Sequence, residues 1–205
     1  IAHHDLLTPG HRSTSEGMGA MLAETARAAL ERIRYAEDAD TTVDWLARMV
    51  SIPYRDLSPE RLAEARKALQ EQPHPPPSPT KPGFFDWDWI YHVGVLDVAR
   101  LKERTGRFEY EIQAFRIGDL ALVALVGEPF VQGQLRIKLE SPFPFTFVAH
   151  MCNAYVGYLP TPEAIERGGY ETRLGWGSKL APEALDMVAD ATVALLKELH
   201  AGRQG

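Results

Sequence analysis

The sequence is short of cysteine: Cys152 is the only one among 205 residues. A single thiol excludes an internal disulfide and a zinc site built from several thiolates. The sequence is also short of positive charge. Its 22 lysines and arginines face 28 aspartates and glutamates, giving a formal net charge of −6, so the basic stripe of a nucleic-acid binder is missing. No run approaches the roughly 18 consecutive apolar residues that a membrane-spanning helix needs. No signal peptide opens the sequence, which starts at Ile1. It also lacks a G-x-S-x-G elbow, an H-E-x-x-H pair, a P-loop, a dinucleotide fingerprint and any internal repeat. Apolar residues are not scarce: at 45%, against 24% charged, they suffice for the core of a globular domain.

The periodicities predict helices and strands in alternation. Met18, Met21, Leu22, Ala26, Ala29, Leu30 and Ile33 recur at helical spacing, which predicts an amphipathic helix over 16–35 capped by Ser13 or Ser15. A second helix runs from Pro59 to about Glu71, with Ser58 as N-cap and proline at the first helical position, where a missing N–H costs nothing. Residues 73–82, PHPPPSPTKP, form an extended proline-rich loop. A helix over 84–104 follows, ended by Gly106. Its aromatics Phe84, Phe85, Trp87, Trp89 and Tyr91 read as core or interdomain packing, with use at a membrane surface as the alternative. Asp86 and Asp88 read as acids at its start.

RFEYEIQAFRIG then alternates as a half-buried strand should, and Gly118-Asp119 turns it into the apolar run DLALVALV, predicting a hairpin. A helix over FVQGQLRIKL, a strand over FTFVAHMC and a final helix over 182–200, with Leu185, Val188, Thr192, Leu195 and Leu199 on one face, complete the pattern. The fold class is α/β: a mixed β-sheet with covering helices.

Two apolar strands hand directly to polar turns. DLALVALV ends in Gly127-Glu128-Pro129, and FTFVAHMC ends in Asn153-Ala154-Tyr155-Val156-Gly157-Tyr158, so a glutamate and a tyrosine leave the ends of two neighbouring strands. GEPF, then N-x-Y-x-G-Y-x-P-T-P-E, then G-G-Y-E, together resemble the later half of the catalytic domain of the neutral/alkaline non-lysosomal ceramidase family. The likeness runs from about Gln113 to His200, its three motifs falling in the family's order with similar spacing. Upstream, residues 16–35 and 50–72 match only loosely.

The resemblance implies a zinc amidohydrolase that cleaves the N-acyl bond of a sphingolipid. It implies one zinc ion held by two histidines, a glutamate and a tyrosine. Glu128 falls on the family's glutamate ligand, Tyr158 on its tyrosine ligand, and Tyr170 on a tyrosine lying at the substrate amide. It implies a lipid-like N-acyl amide as substrate and a secreted or periplasmic setting, on which the residues themselves are silent. Nothing in this chain aligns with the stretches that carry the two histidines. The 205 residues are therefore read as the C-terminal part of a larger hydrolase domain, the rest lying in a missing N-terminal half or a second chain.

The chemistry suits such a site. An amide is a poor electrophile, so its hydrolysis needs an activated water, a polarised carbonyl and a proton for the leaving amine. A zinc ion with an open position supplies the first two, and a preorganised Tyr170 hydroxyl can bind the developing oxyanion. Each residue also has an ordinary structural reading: Glu128 as a helix-start acid favoured by the dipole, Tyr155 and Tyr158 as edge residues with their hydroxyls in water.

The histidines offer no obvious completion. His3, His4 and His11 lie near the chain start, where a poorly ordered end is the expectation. His150 reads as a core or supporting histidine, His92 and His200 as ordinary helix residues, and His74 belongs to the proline loop. Two alternatives stay open: a non-catalytic binding or structural subunit that keeps the fold without a complete metal site, and a zinc hydrolase of polar amides or esters. An apolar channel at Tyr170 would favour a lipid substrate, and an open charged cleft a polar one. If half a domain is absent, the sheet should show an uncovered apolar face.

Overall fold

The computed structural model describes residues 14–35, 37 and 39–202; His3, His4 and His11 lie outside them. The chain divides into two compact units, Ile1–Ala39 and Asp40–Gly205. The first contains helix α1, Ser15–Leu30, which buries none of its residues. Its cap is Thr14, whose hydroxyl accepts from Gly17 N at 3.0 Å, rather than Ser13 or Ser15. It also stops five residues before the predicted end.

The second unit is a mixed sheet with helices. In chain order it contains β1 (Val43–Pro53), α2 (Pro59–Glu71), α3 (Trp87–Thr105), β2 (Arg107–Ile117), β3 (Leu120–Leu125), β4 (Glu128–Pro129), α4 (Val131–Glu140), β5 (Phe145–Ala149), β6 (Tyr158–Leu159), α5 (Pro162–Arg167) and α6 (Ala184–Ala201). The main sheet has the order β1-β2-β3-β5. The first two pairings are antiparallel, β2 and β3 forming the predicted hairpin, while β3 and β5 run parallel. A parallel pair needs a crossover, and α4 supplies it. A second, two-stranded sheet pairs β4 with β6.

Local chemistry sets the helix ends. Ser58 accepts from Arg61 N at 3.2 Å with Pro59 behind it, as predicted for α2. Asp86 accepts from Asp88 N at 3.1 Å and starts α3, and Gly106 ends it at φ 70°, a conformation glycine adopts without penalty. Residues 150–152 leave β5 because Met151 turns to φ 60°, so the strand is shorter than the apolar run FTFVAHMC. The predicted final helix begins at Ala184, two residues past Pro182.

The inner face of the sheet carries Ile52, Tyr110, Ile112, Ala114, Ala121, Val123 and Leu125, all buried, and packs on α6. Helix α6 returns Leu185, Val188, Val193, Leu195, Leu196 and Leu199 to that core. Its buried Thr192 hydroxyl donates to Val188 O at 2.7 Å, so no polar group is left without a partner there. Tyr110 likewise donates to Val126 O at 2.6 Å.

The outer face is different. Register places Trp45 opposite Phe115, Phe115 opposite Leu122 and Leu122 opposite Phe147, an apolar row across all four strands. A parallel row of Val43, Ile117, Leu120 and Phe145 lies beside it. Trp45 is 59% exposed and Phe147 56%. These two rows make the outer face apolar and, at Trp45, Phe145 and Phe147, exposed. No helix of the described residues is long and apolar enough to cross a membrane.

The two faces should respond differently to substitution. Leu196→Ala, in the inner core, should cost about 2–5 kcal/mol of unfolding free energy. Trp45→Lys combined with Phe147→Lys should cost no more than about 1 kcal/mol while lowering the binding of a hydrophobic dye. Denaturant unfolding with dye fluorescence checks both, and an equal loss of stability from the two changes would contradict the assignment of faces.

Candidate active site

The site forms where β3 and β5 end. Because these strands are parallel, both release the chain at the same edge of the sheet. After β3, Gly127 takes φ 68°, and a Cβ there would lie 2.4 Å from Gly157 O. The chain leaving β5 is pinned to it: Met151 N donates to Gly127 O at 2.9 Å and Cys152 N to Leu125 O at 3.0 Å. Asn153, also left-handed at φ 61°, donates through Nδ2 to Glu111 Oε2 at 3.1 Å. Two non-glycine residues in that region are a local cost, offset here by the bonds that the bend makes possible.

The result is a parallel pairing of Glu128 with Tyr158 and of Pro129 with Leu159. Glu128 N donates to Gly157 O at 2.8 Å, and Phe130 N to Leu159 O at 3.0 Å. Tyr158 N in turn donates to Gly177 O at 2.7 Å, so Tyr158 is held from both sides. Gly157, at φ 89°, permits this: a Cβ would stand 2.4 Å from Gly177 O. The two residues that sequence placed at neighbouring strand ends are thus direct partners, both half-buried.

Tyr170 reaches the same place by another route. Thr161 caps α5, its hydroxyl accepting from Ala164 N at 3.2 Å with Pro162 behind it. The P-T-P-E motif is therefore a helix start, not a chemical group. After α5, Gly168 and Gly169 take φ 79° and 121° and turn the chain back. The Tyr170 hydroxyl lies 3.5 Å from that of Tyr158, with the rings edge to face at 5.8 Å.

Arg55 stitches this loop to the end of β1. It donates through Nε to Leu180 O at 3.2 Å, through one terminal nitrogen to Thr172 O at 2.8 Å and through the other to the buried Ser178 Oγ at 2.9 Å.

Tyr155, like Tyr158, has an ordinary reading as an edge residue with its hydroxyl in water. Its hydroxyl donates to Glu128 Oε1 at 3.1 Å. Glu128, for its part, lies in β4 and bonds Tyr155 instead of starting α4, so its ordinary reading as a helix-start acid does not hold. Burial and the hydrogen bond to Glu128 raise the Tyr155 phenol above its ordinary range. The Tyr158 phenol is pushed up as well, by its hydrogen bond with Tyr170 first, then by burial and the negative charge of Glu128. Glu128 and Tyr158 can offer a cation a carboxylate and a phenolate oxygen. Among the described residues no group of three or more His, Cys, Asp or Glu side chains could hold a metal ion. His150 is exposed, His92 lies on α3, and His200 stacks edge to face on Phe143 at 5.1 Å. The donor types fit zinc, but two protein donors are fewer than the three of a catalytic zinc site.

Beside Tyr170 opens a cleft of about 1010 Å³. Trp87, Tyr91, Ile165 and Leu174 line it together with Tyr170, and so do Arg55, Arg61, Lys81 and Arg173.

No protein-family model matches the chain, and no curated protein matches it in sequence. Solved structures do. One is the crystal structure of neutral ceramidase from Pseudomonas aeruginosa, with a TM-score of 0.52 at 18% identity, covering 94% of this chain and 34% of that one. Another is a ceramidase complexed with C2, at a TM-score of 0.40 and 23% identity, covering 44% of this chain and 15% of that one. This chain thus spans about a third of the length of the first.

The proton on Tyr158 gives a test. The folded protein holds it more tightly than an unfolded chain does, so its contribution to stability is intact below about pH 10 and lost as pH climbs through the folded value. Tyr170→Phe removes the largest cause of the rise. In the metal-free protein, tyrosinate absorbance assigned to Tyr158 by difference from Tyr158→Phe should then appear at lower pH. An unchanged titration would show that the hydroxyl contact does not hold the proton. The ceramidase resemblance read from the motifs is met by the structure: the chain has the fold of part of a neutral ceramidase.

Proposed function

We propose that this chain is part of a zinc-dependent amidohydrolase that cleaves the N-acyl amide bond of ceramide or a related N-acyl lipid. The observation that carries the reading is the pairing of Glu128 with Tyr158 at the ends of two parallel strands, with the Tyr170 hydroxyl against that of Tyr158. A ceramidase-like fold supports it. The aromatic and aliphatic lining of the adjacent cleft suits an acyl chain.

In this reading Glu128 and Tyr158 hold the metal, and further ligands come from residues that the described part of the chain does not contain. When bound, zinc supplies a water of lowered pKa and polarises the amide carbonyl. The chain's own residues do the rest. Tyr155 fixes the Glu128 carboxylate by donating to one oxygen, which leaves the other free to point at a cation. Tyr170, 57% exposed and lining the cleft, donates to the carbonyl oxygen as negative charge develops on it. The glycines at 127 and 157 let the backbones close tightly enough to aim both side chains.

The donor count favours a second reading, a binding or structural subunit with a ceramidase-like fold and no complete metal site. One experiment separates the two. In the protein carrying its full complement of ligands, Glu128→Gln and Tyr158→Phe should each lower zinc content and reduce amidase kcat/KM by at least about 100-fold. Tyr155→Phe, which removes only a supporting bond, should cost about 10–100-fold. Zinc content and turnover unaltered in the first two variants would leave the subunit reading.

A further inference from the structure

The charge of the cleft is at odds with that of the protein. The chain is acidic, at −6, yet four cationic side chains, Arg55, Arg61, Lys81 and Arg173, line the cleft against the single carboxylate of Asp56. That carboxylate is almost wholly exposed and already pairs with Lys102, so it does not balance the four. Arg173 has its own partner, bonding Asp88 at 2.7 Å while its guanidinium sits 3.7 Å over the Tyr91 ring. Arg55 spends its donors on two carbonyls and a hydroxyl, none of them an acid. Its half-buried charge is therefore uncompensated by any of these bonds. Burial, then repulsion from Arg61, lowers its pKa.

Arg61 and Lys81 stand apart from these two. Among the described residues, neither side chain takes part in a hydrogen bond or an ion pair; only their backbone groups do. Two exposed, unengaged cations and the half-buried Arg55 give the cleft a positive potential. Tyr91, Trp87 and Ile165 add apolar surface in the same cleft, and Tyr170 joins it to the proposed reaction centre.

We propose that the substrate is an anionic N-acyl amide, whose carboxylate, sulfonate or phosphate is held by Arg61 and Lys81 while its acyl chain lies along Trp87, Tyr91 and Ile165. The proposal rests on the amidohydrolase reading and narrows it. An uncharged substrate would leave these cations without a counter-charge, whereas a substrate carrying an oxyanion supplies one. The arrangement also answers the question the sequence left open, since the cleft is both charged and apolar-lined and fits an amphiphile carrying a negative group.

Binding tests this independently of turnover. N-octanoylglycine, N-octanoyltaurine, N-octanoylethanolamine and octanoate are titrated into the protein, with tryptophan fluorescence as the signal because Trp87 lines the cleft. The glycine or taurine conjugate, or both, should bind at least about tenfold more tightly than the neutral ethanolamide, a difference of about 1.4 kcal/mol. Raising the salt should shrink that gap. Arg61→Ala combined with Lys81→Ala should close it, while Arg66→Ala, an exposed charge elsewhere on α2, should not.

Which conjugate is preferred identifies the anion. Octanoate binding as tightly as the conjugates would place the recognised charge on a fatty-acid product and overturn the proposal. Equal affinities for charged and neutral amides, a gap that survives in the double variant, or no binding at all would overturn it too. The same amides offered as substrates to the protein carrying its full complement of ligands separate the two readings: hydrolysis with no preference for charge defeats this inference alone. An anion preference with none of them hydrolysed defeats the amidohydrolase reading while the cleft's selectivity stands.

Discussion

Everything at the candidate site depends on one pairing, the parallel alignment of β3 with β5. Antiparallel neighbours would release their chains at opposite edges of the sheet. Parallel ones release them together, and the carboxyl ends of parallel strands are where α/β folds assemble sites. Here both released segments continue into the short β4–β6 pair, which inherits the parallel sense and sets Glu128 beside Tyr158. The closeness is extreme enough that two glycines are obligatory on steric grounds, Gly127 against Gly157 O and Gly157 against Gly177 O. The 172–178 loop is thereby tied in, and with it Arg55, which fastens that loop to the end of β1. A change at any of these contacts is felt at Tyr158.

Much of this was legible in sequence because it is local. Ser58-Pro59, Gly118-Asp119 and Gly106 each carry their own conformational reason, and the structure uses all three as read. So does the inward face of α6, where Leu185, Val188, Thr192, Leu195 and Leu199 follow the helical period. What escaped is instructive. Strand β1 went unread because Trp45 and Met49 on its outer face are as apolar as Leu46 and Val50 on its inner face, so the alternation that announces a half-buried strand is absent. Tyr155 escaped because its partner Glu128 is 27 residues away, and only the fold brings the two together. The cations of the cleft come from four separate segments, and no local pattern links Arg55, Arg61, Lys81 and Arg173.

The outer face of the sheet and the donor set of the proposed metal site bear on the same question, what else the hydrolase reading requires. A purely parallel sheet is ordinarily covered on both faces, whereas antiparallel strands can leave one face open; here helix α6 covers one face while Trp45, Leu122 and Phe147 stand exposed on the other. Contiguous apolar surface of this kind marks an interface. The site, likewise, presents two donors where catalysis by zinc takes three. A solved ceramidase about three times as long shares this fold over 94% of the present chain. The open face belongs to the four-stranded sheet, and Glu128 and Tyr158 to the two-stranded one that continues from the ends of β3 and β5.

The proton of Tyr158 decides what kind of site this can be. With the negative charge of Glu128 beside it and its hydroxyl against that of Tyr170, the phenol is held neutral well beyond physiological pH. A second negative charge next to the carboxylate is costly. A dication held by Glu128 and Tyr158 would reverse the balance, since its attraction for a carboxylate and a phenolate would outweigh their mutual repulsion. In the proposed hydrolase the pair therefore has two self-consistent states: carboxylate with neutral phenol, or carboxylate with phenolate around a metal. Passing from one to the other releases a proton, so metal affinity must rise with pH for as long as Tyr158 is protonated in the free site.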